Sequence, residues 1–178
     1  DWSSDVCSSD LRAFGECASQ ILHHLVIAGN CSESQKSMLV ETAIKVGCLD
    51  KLYFTGYVPS DDLPILYRNA DIYIEMSGYE GFGLQVCEAM AAGTAVIASD
   101  VASLPEVVGD GSYLVELGDT LTLAQKMLFL LKNPTELQKL NVLAKQQAAN
   151  FTWDKCAKET WNVIDKIISK GITNYATF

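Results

Sequence analysis

The sequence lacks the patterns that would indicate a structural metal site or a disulfide framework. Its six cysteines include no C-x-x-C pair, and its two histidines, His23 and His24, are adjacent within an apolar run. A reducing compartment is therefore expected, and we predict a cytoplasmic protein without a bound metal. Apolar runs are also too short for the roughly 20 residues that a membrane span needs, so we expect no membrane contact from this part of the protein.

Positive charge is scarce as well. Thirteen lysines and arginines stand against 22 acidic residues, which gives a formal net charge of −9, and only Arg12 and Arg68 are arginines. Surfaces that bind nucleic acids are typically basic, so this balance predicts that no nucleic acid is a partner. The chain has 178 residues, of which 49% are apolar, so it can bury a sizeable core, which excludes the disordered and fibrous classes.

The first eleven residues differ from the rest of the chain. The stretch DWSSDVCSSDL has no amphipathic period and repeats Ser-Ser-Asp. It resembles one reading frame of a common DNA-sequencing adapter, so we predict that residues 1–11 are disordered and contribute no element to the fold. Residues 12–178 are then expected to form one domain that is incomplete at its amino end.

From Arg12 onward, short apolar runs alternate with longer segments of helical period. The predicted strands cover residues 22–29, 51–55, 71–74, 94–98 and 113–115. The predicted helices begin near residues 32, 60, 84, 104, 134 and 153. A capping box at Ser32-x-x-Gln35 supports the first of these helices, and Gly47 can end it. This alternation predicts an α/β fold, with a Rossmann-like parallel sheet and helices on both of its faces.

The most informative segment covers residues 77–93, SGYEGFGLQVCEAMAAG, and joins a strand to a helix through a glycine-rich loop. Glycines let the backbone approach a ligand closely, and the unpaired amides near Gly83 and Leu84 favour an anion at the carboxyl edge of the sheet. The segment is neither a P-loop nor a dinucleotide fingerprint. From the residues alone, a nucleotide or phosphate site and an ordinary turn therefore remain equally open.

Two glutamates extend this hypothesis. Glu80 lies in the loop, and Glu88 lies one turn beyond Leu84, so both can face one cleft above the glycines. Their carboxylates would accept paired hydrogen bonds from the vicinal hydroxyls of a ribose or hexose, with a diphosphate on the helix amides between them. The alternative is that Glu88 is a solvated helix residue and Glu80 an ordinary loop carboxylate.

A series of motifs occurs in order between Leu25 and Trp153. They are LVIAG at 25–29, FTGYV at 54–58, LYRNAD at 66–71, YEGFGL at 79–84, EAMAAGT at 88–94, ASD at 98–100, LPEVVG at 104–109 and FTW at 151–153. This series resembles the C-terminal, donor-binding domain of the group 1 (family 4) glycosyltransferases, which are retaining enzymes of GT-B architecture. The resemblance implies the C-terminal half of a GT-B glycosyltransferase with its first strand missing.

The resemblance also implies roles by position. Glu80 would be the catalytic residue beside the donor sugar, and Glu88 would bind the ribose. Tyr57 and Val58 would lie beside the nucleobase. Sugar hydroxyls and phosphate would be held by the backbone of Gly81, Phe82, Gly83 and Leu84. No metal and no cofactor are expected, because the nucleotide-diphosphate sugar is itself the substrate.

The chain departs from this family in its basic residues. The family supplies an arginine and a lysine to the diphosphate from the first strand and the following helix, whereas Arg12 is the only lysine or arginine before Lys36. Charge-assisted hydrogen bonds contribute about 1.5 to 3 kcal/mol each, so losing two would weaken diphosphate binding by ~10²- to 10⁴-fold. The N-terminal acceptor domain, the other expected partner, is also missing. We therefore predict that this chain alone is inactive.

Glu75 stands where the family usually has an apolar residue, so we expect its carboxylate to be exposed, paired or at the edge of the sheet. Two other functions remain open: a freestanding or degenerate nucleotide-binding module without catalysis, and a GT-B-like sugar-nucleotide epimerase. A phosphorylase would need a lysine for pyridoxal phosphate, and none lies between Lys51 and Lys126. The sequence predicts neither the acceptor nor the sugar and base of the donor.

Overall fold

The structure of the protein, a computed structural model, describes residues 2–175. It divides after Ala148 into two compact units. The first unit is an α/β arrangement of parallel strands and helices, which confirms the predicted fold class, and the second contains one long helix. In the part of the chain that the structure describes, no helix is both long and apolar enough to cross a membrane.

The strands form two separate sheets. In chain order they are β1 (Leu25–Ala28), β2 (Leu52–Gly56), β3 (Ile72–Glu75), β4 (Ala95–Ser99) and β5 (Ser112–Val115). β1 pairs with β2, and β4 lies between β3 and β5, with every pairing parallel. We expected one sheet. The structure has two because, among the described residues, β1 pairs with β2 alone and β3 with β4 alone, so no ladder joins the two groups of strands.

The helices connect these strands. They are α1 (Trp2–Ala18), α2 (Glu33–Lys45), α3 (Leu63–Asn69), α4 (Leu84–Ala92), α5 (Leu104–Val108), α6 (Thr120–Lys132), α7 (Pro134–Ala148) and, in the second unit, α8 (Trp153–Tyr175). Local chemistry explains several of their ends. The capping box of α2 is present, since the Gln35 amide donates to Ser32 Oγ and the Ser32 amide donates to Gln35 Oε1. α4 is bounded by Gly83 and Gly93, both left-handed, as the sequence predicted for its end.

Helices cover both faces of the three-stranded sheet. Ala95 and Ile97 of β4 belong to the core cluster that includes residues of α1 and α6. Val96 and Ala98 point to the opposite face, because side chains alternate along a strand, and they are also fully buried. Helices α4, α5 and α7 contact β4 as well. The predicted two-sided covering of the sheet is therefore present around β4.

The prediction that residues 1–11 are disordered differs from the structure, which places residues 2–11 in α1. Leu11, Phe14 and Cys17 are buried and lie at helical spacings of three, so α1 has an apolar face against α2 and α6. This face was not predicted from the sequence, because only residues 12–18 of α1 remain once residues 1–11 are left out, which is too short a stretch to show a helical period. The suggested origin of residues 1–11 stays a prediction.

Candidate functional site

The glycine-rich loop leads from the carboxyl end of β3 into α4. Gly83 precedes the helix with φ of +87°, a left-handed conformation that side chains with a Cβ rarely adopt. The Cys87 amide donates a hydrogen bond to the Gly83 carbonyl, with 3.1 Å between nitrogen and oxygen, and this is the first hydrogen bond of the helix. The first amides of α4 therefore have no partner within the helix. A Cβ added to Gly81 would meet no atom within 4 Å. The loop therefore leaves open space beside a helix N-terminus.

The start of α5 holds this loop in place. Ser103 Oγ donates to the Glu80 carbonyl at 2.9 Å. A Cβ added to Gly83 would lie 2.9 Å from Leu104 Cδ2, and Leu104 is fully buried. Two features thus require glycine at position 83: the left-handed backbone conformation and the close approach of α5. The second depends on the fold and cannot be read from the local sequence.

Glu80 is half-buried and lies in a group of hydrogen-bonded side chains at the end of β3. The Ser77 hydroxyl lies 3.2 Å from Glu80 Oε1 and also contacts Glu75 Oε1, so the two carboxylates share one donor. Tyr73 Oη donates to Glu75 Oε2 at 3.0 Å. Burial and the neighbouring Glu75 raise the pKa of Tyr73 well above its ordinary value. Glu75, expected to be exposed, paired or at the edge of the sheet, therefore has hydrogen-bond partners and lies on β3, an edge strand of its sheet.

Glu88 lies on the exposed surface of α4 and has its own hydrogen-bond donor. Tyr67 Oη donates to Glu88 Oε2 at 3.2 Å. Thr94, which is buried, fixes the Tyr67 backbone by donating to its carbonyl at 2.6 Å. Burial and then the Glu88 carboxylate raise the pKa of Tyr67 to about 12, so its hydroxyl stays protonated and remains a donor. Burial and Glu88 also raise the pKa of the Cys87 thiol.

The two tyrosine rings connect these groups. Tyr67 and Tyr73 meet edge to face with their centroids 5.6 Å apart. The row of contacts runs through Glu80, Ser77, Glu75, Tyr73, Tyr67 and Glu88. Neither Tyr67, which lies in the motif LYRNAD, nor Tyr73 was predicted to belong to the site, because α3 and β3 come together only in the fold.

Tyr57 and Val58, the residues predicted to lie near the base, are not part of this row of contacts. They line a cavity of about 930 Å³ between β1 and β3, together with Tyr67 and Glu75, whereas Glu80 and Glu88 are not among its lining residues. Tyr57 is 71% exposed. Tyr57 and Val58 thus line the same cavity as Tyr67, which donates to Glu88, and Glu75, which shares the Ser77 hydroxyl with Glu80. Among the described residues, no cluster of three or more His, Cys, Asp or Glu side chains could hold a metal ion.

A model of the family "Glycosyl transferases group 1" matches residues 11–148 of the chain. The chain is 38% identical to the O-antigen chain mannosyltransferase B of Escherichia coli, over 70% of this chain and 32% of that protein. It is 33% identical to the D-inositol 3-phosphate glycosyltransferase of Salinispora tropica, over 86% of this chain and 33% of that protein. The chain therefore spans about a third of the length of these relatives.

The fold is also found in solved structures. The crystal structure of Anabaena HepE in complex with UDP-glucose matches with a TM-score of 0.79 and 19% identity, over 89% of this chain and 44% of that one. At this identity the likeness shows the fold, which is that of GT-B glycosyltransferases.

Proposed function

Since this chain belongs to the group 1 glycosyltransferases, we propose that it forms the donor-binding part of an enzyme that transfers a sugar from a nucleoside-diphosphate sugar to an acceptor. The observation that carries this proposal is the β3–α4 connection. It combines open space at Gly81, a helix N-terminus at Gly83 and a carboxylate, Glu88, that a tyrosine orients. Open parallel sheets bind ligands at this edge, beyond the carboxyl ends of their strands.

Each group has a proposed role that follows from its chemistry. Glu88 accepts the two ribose hydroxyls, because a carboxylate can receive a pair of vicinal donors. The backbone of Gly81, Phe82, Gly83 and Leu84 holds sugar hydroxyls and phosphate, since the partial positive charge at the start of α4 favours an anion. Glu80 lies beside the donor sugar, and Tyr57 and Val58 lie near the base.

The proposed reaction retains the anomeric configuration by a displacement on one face of the sugar. The bond between the anomeric carbon and the diphosphate oxygen breaks as the acceptor oxygen forms its new bond, and the acceptor proton passes to the departing diphosphate. The transition state resembles an oxocarbenium ion, so what must be stabilised is the negative charge of the leaving group, which the α4 amides would do. The proposed reaction uses no metal and no further cofactor.

The activities for which the relatives are named support a sugar transferase, since one is a mannosyltransferase and another a D-inositol 3-phosphate glycosyltransferase. The Anabaena structure that shares the fold contains UDP-glucose. Because the chain spans about a third of these relatives, the acceptor site and the remaining charge on the diphosphate are proposed to come from the rest of the full-length enzyme, which we propose acts in the cytoplasm.

The test is nucleotide binding by the isotope-labelled chain, followed by amide chemical shifts. We expect UDP, GDP or ADP to shift the amides of residues 81–88, and Glu88→Ala to weaken this binding by ~10- to 100-fold, the loss of a hydrogen-bonded carboxylate. Glu41→Ala is the matched control, because Glu41 is an exposed helical glutamate on α2 that pairs with Lys45. Equal affinities of both variants, or shifts outside the β3–α4 connection, would contradict the proposal.

A further inference from the structure

Two carboxylates at the carboxyl end of β3, those of Glu75 and Glu80, compete for one hydrogen-bond donor. The Ser77 hydroxyl contacts Glu75 Oε1 and lies 3.2 Å from Glu80 Oε1. A hydroxyl group carries a single hydrogen, so it can make a full hydrogen bond to only one of the two carboxylates at a time. We call Glu75, Ser77 and Glu80 the shared-donor group.

Neighbouring elements fix the backbone of the shared-donor group. Ser99 of β4, which is fully buried, donates from Oγ to the Ser77 carbonyl at 2.5 Å, and Ser103 Oγ donates to the Glu80 carbonyl at 2.9 Å. Ser77 is itself buried, so little water reaches its hydroxyl. The groups that surround each carboxylate therefore decide which of the two receives the Ser77 proton.

Glu75 has donors at both of its oxygens. Tyr73 Oη donates to Glu75 Oε2 at 3.0 Å, and the Ser77 hydroxyl faces Glu75 Oε1. Tyr73 remains a donor because burial and the neighbouring Glu75 raise the pKa of its hydroxyl well above the ordinary value. A half-buried carboxylate needs such donors, since a charge that is removed from water without a partner is costly. Glu75 therefore has a strong claim on the Ser77 proton.

The surroundings of Glu80 are more open. In the part of the chain that the structure describes, Ser77 is the one side-chain donor to Glu80, and no lysine, arginine or histidine forms an ion pair with either carboxylate. A Cβ added to the next residue, Gly81, would meet no atom within 4 Å. When Ser77 donates to Glu75, both oxygens of Glu80 keep their lone pairs for a ligand. When it donates to Glu80, one acceptor position is already occupied.

From this geometry we propose that Glu75 is a positioning residue, which holds the Ser77 proton and so leaves the Glu80 carboxylate free to accept a hydroxyl of the donor sugar. The inference rests on the proposed function, in which Glu80 lies beside that sugar. Glu75 acts through Ser77 and does not contact the sugar.

The size of the effect follows from one hydrogen bond. The contribution of the sugar to binding is the ratio of two dissociation constants, that of the nucleoside diphosphate and that of its sugar ester. Without the Glu75 carboxylate, Ser77 donates to Glu80, and a sugar hydroxyl must displace it. The contribution of the sugar should then fall by about 3- to 10-fold, the value of one net hydrogen bond.

The test measures both dissociation constants for two pairs of probes, UDP with UDP-glucose and GDP with GDP-mannose. We expect Glu75→Leu to lower their ratio by about 3- to 10-fold, while the affinity for the nucleoside diphosphate changes by less than about twofold. The control is the same substitution in a Ser77→Ala background. There Glu75→Leu should change the ratio by less than about twofold, because no shared proton remains.

An equal loss with and without the Ser77 hydroxyl would overturn the inference, because Glu75 would then act by its packing or its charge alone. So would an unmodified chain that binds the nucleoside diphosphate and its sugar ester equally well, a result that leaves nucleotide binding, and with it the proposed function, intact. If Glu75→Leu fails to fold, Glu75→Gln takes its place, since an amide offers one acceptor oxygen to the two hydroxyls of Tyr73 and Ser77.

A chain that binds no nucleotide would contradict the proposed function. The inference is then decided by the chemical shift of the Glu80 carboxyl carbon in the ligand-free chain. This shift should move in Glu75→Leu and return in Glu75→Leu/Ser77→Ala, because the Ser77 proton reaches Glu80 in the first variant alone. A shift that is the same in the unmodified chain and in both variants would overturn the role of Glu75.

Discussion

Replacing Gly83 by alanine tests the geometry of the loop before α4. At φ of +87° a residue with a Cβ is strained by about 1–2 kcal/mol. The new Cβ would also lie 2.9 Å from Leu104 Cδ2, and Leu104 is fully buried, so its methyl group cannot move away freely. Overpacking of this kind costs about 1–3 kcal/mol. We therefore expect Gly83→Ala to lower the free energy of unfolding by about 2–5 kcal/mol, the sum of these two effects.

Gly118 provides a matched control. Its φ is +85°, nearly the same as that of Gly83, but a Cβ added there would meet no atom within 4 Å. Gly118→Ala should therefore cost only the backbone strain, about 1–2 kcal/mol. Urea unfolding of both variants measures the difference, provided that the slope with denaturant is unchanged.

A double variant separates the packing contribution. Leu104→Ala removes the methyl group that the new Cβ would meet, so the cost of Gly83→Ala should fall by about 1–3 kcal/mol in that background. The described contact between the loop and α5 would be refuted if Gly83→Ala and Gly118→Ala lowered the free energy of unfolding equally. It would also be refuted if the effects of Gly83→Ala and Leu104→Ala on this free energy were additive in the double variant.

Two further predictions concern titration. Burial, followed by the charge of Glu75, raises the pKa of Asp10 from 3.8 to about 8, so the stability that its protonated form contributes is fully present below about pH 4 and is lost as the pH rises from there through 8. Asp10→Asn should therefore abolish a fall in unfolding free energy between about pH 4 and pH 8, and an unchanged pH profile would favour a disordered segment 1–11. The pKa of Tyr67 is raised to about 12, so stability should decline between about pH 10 and pH 12. Glu88→Gln should lower the Tyr67 pKa, measured from its ring carbon shifts, and a constant value would contradict the hydrogen bond.

Much of the candidate site could be predicted locally because it lies in one continuous segment. The β3–α4 connection brings Glu80, Gly83 and Glu88 together within nine residues of sequence, and a strand, a glycine loop and a helix fix their order. The donor to Glu88 could not be predicted in this way. Tyr67 is 21 residues away and reaches Glu88 only because α3 packs against α4.

The sequence by itself determined the alternation of strands and helices, the caps of α2 and α4 and the family, since each depends on residues close in the chain. Tertiary structure alone decided how the strands are grouped. Apolar runs predict that β1 and β3 are strands, but not that their neighbouring edges are unpaired, because pairing depends on which distant segments meet. The same holds for α1, whose buried face is defined by α2 and α6, and for Glu75, which Tyr73 and Ser77 satisfy with hydrogen bonds in the folded chain.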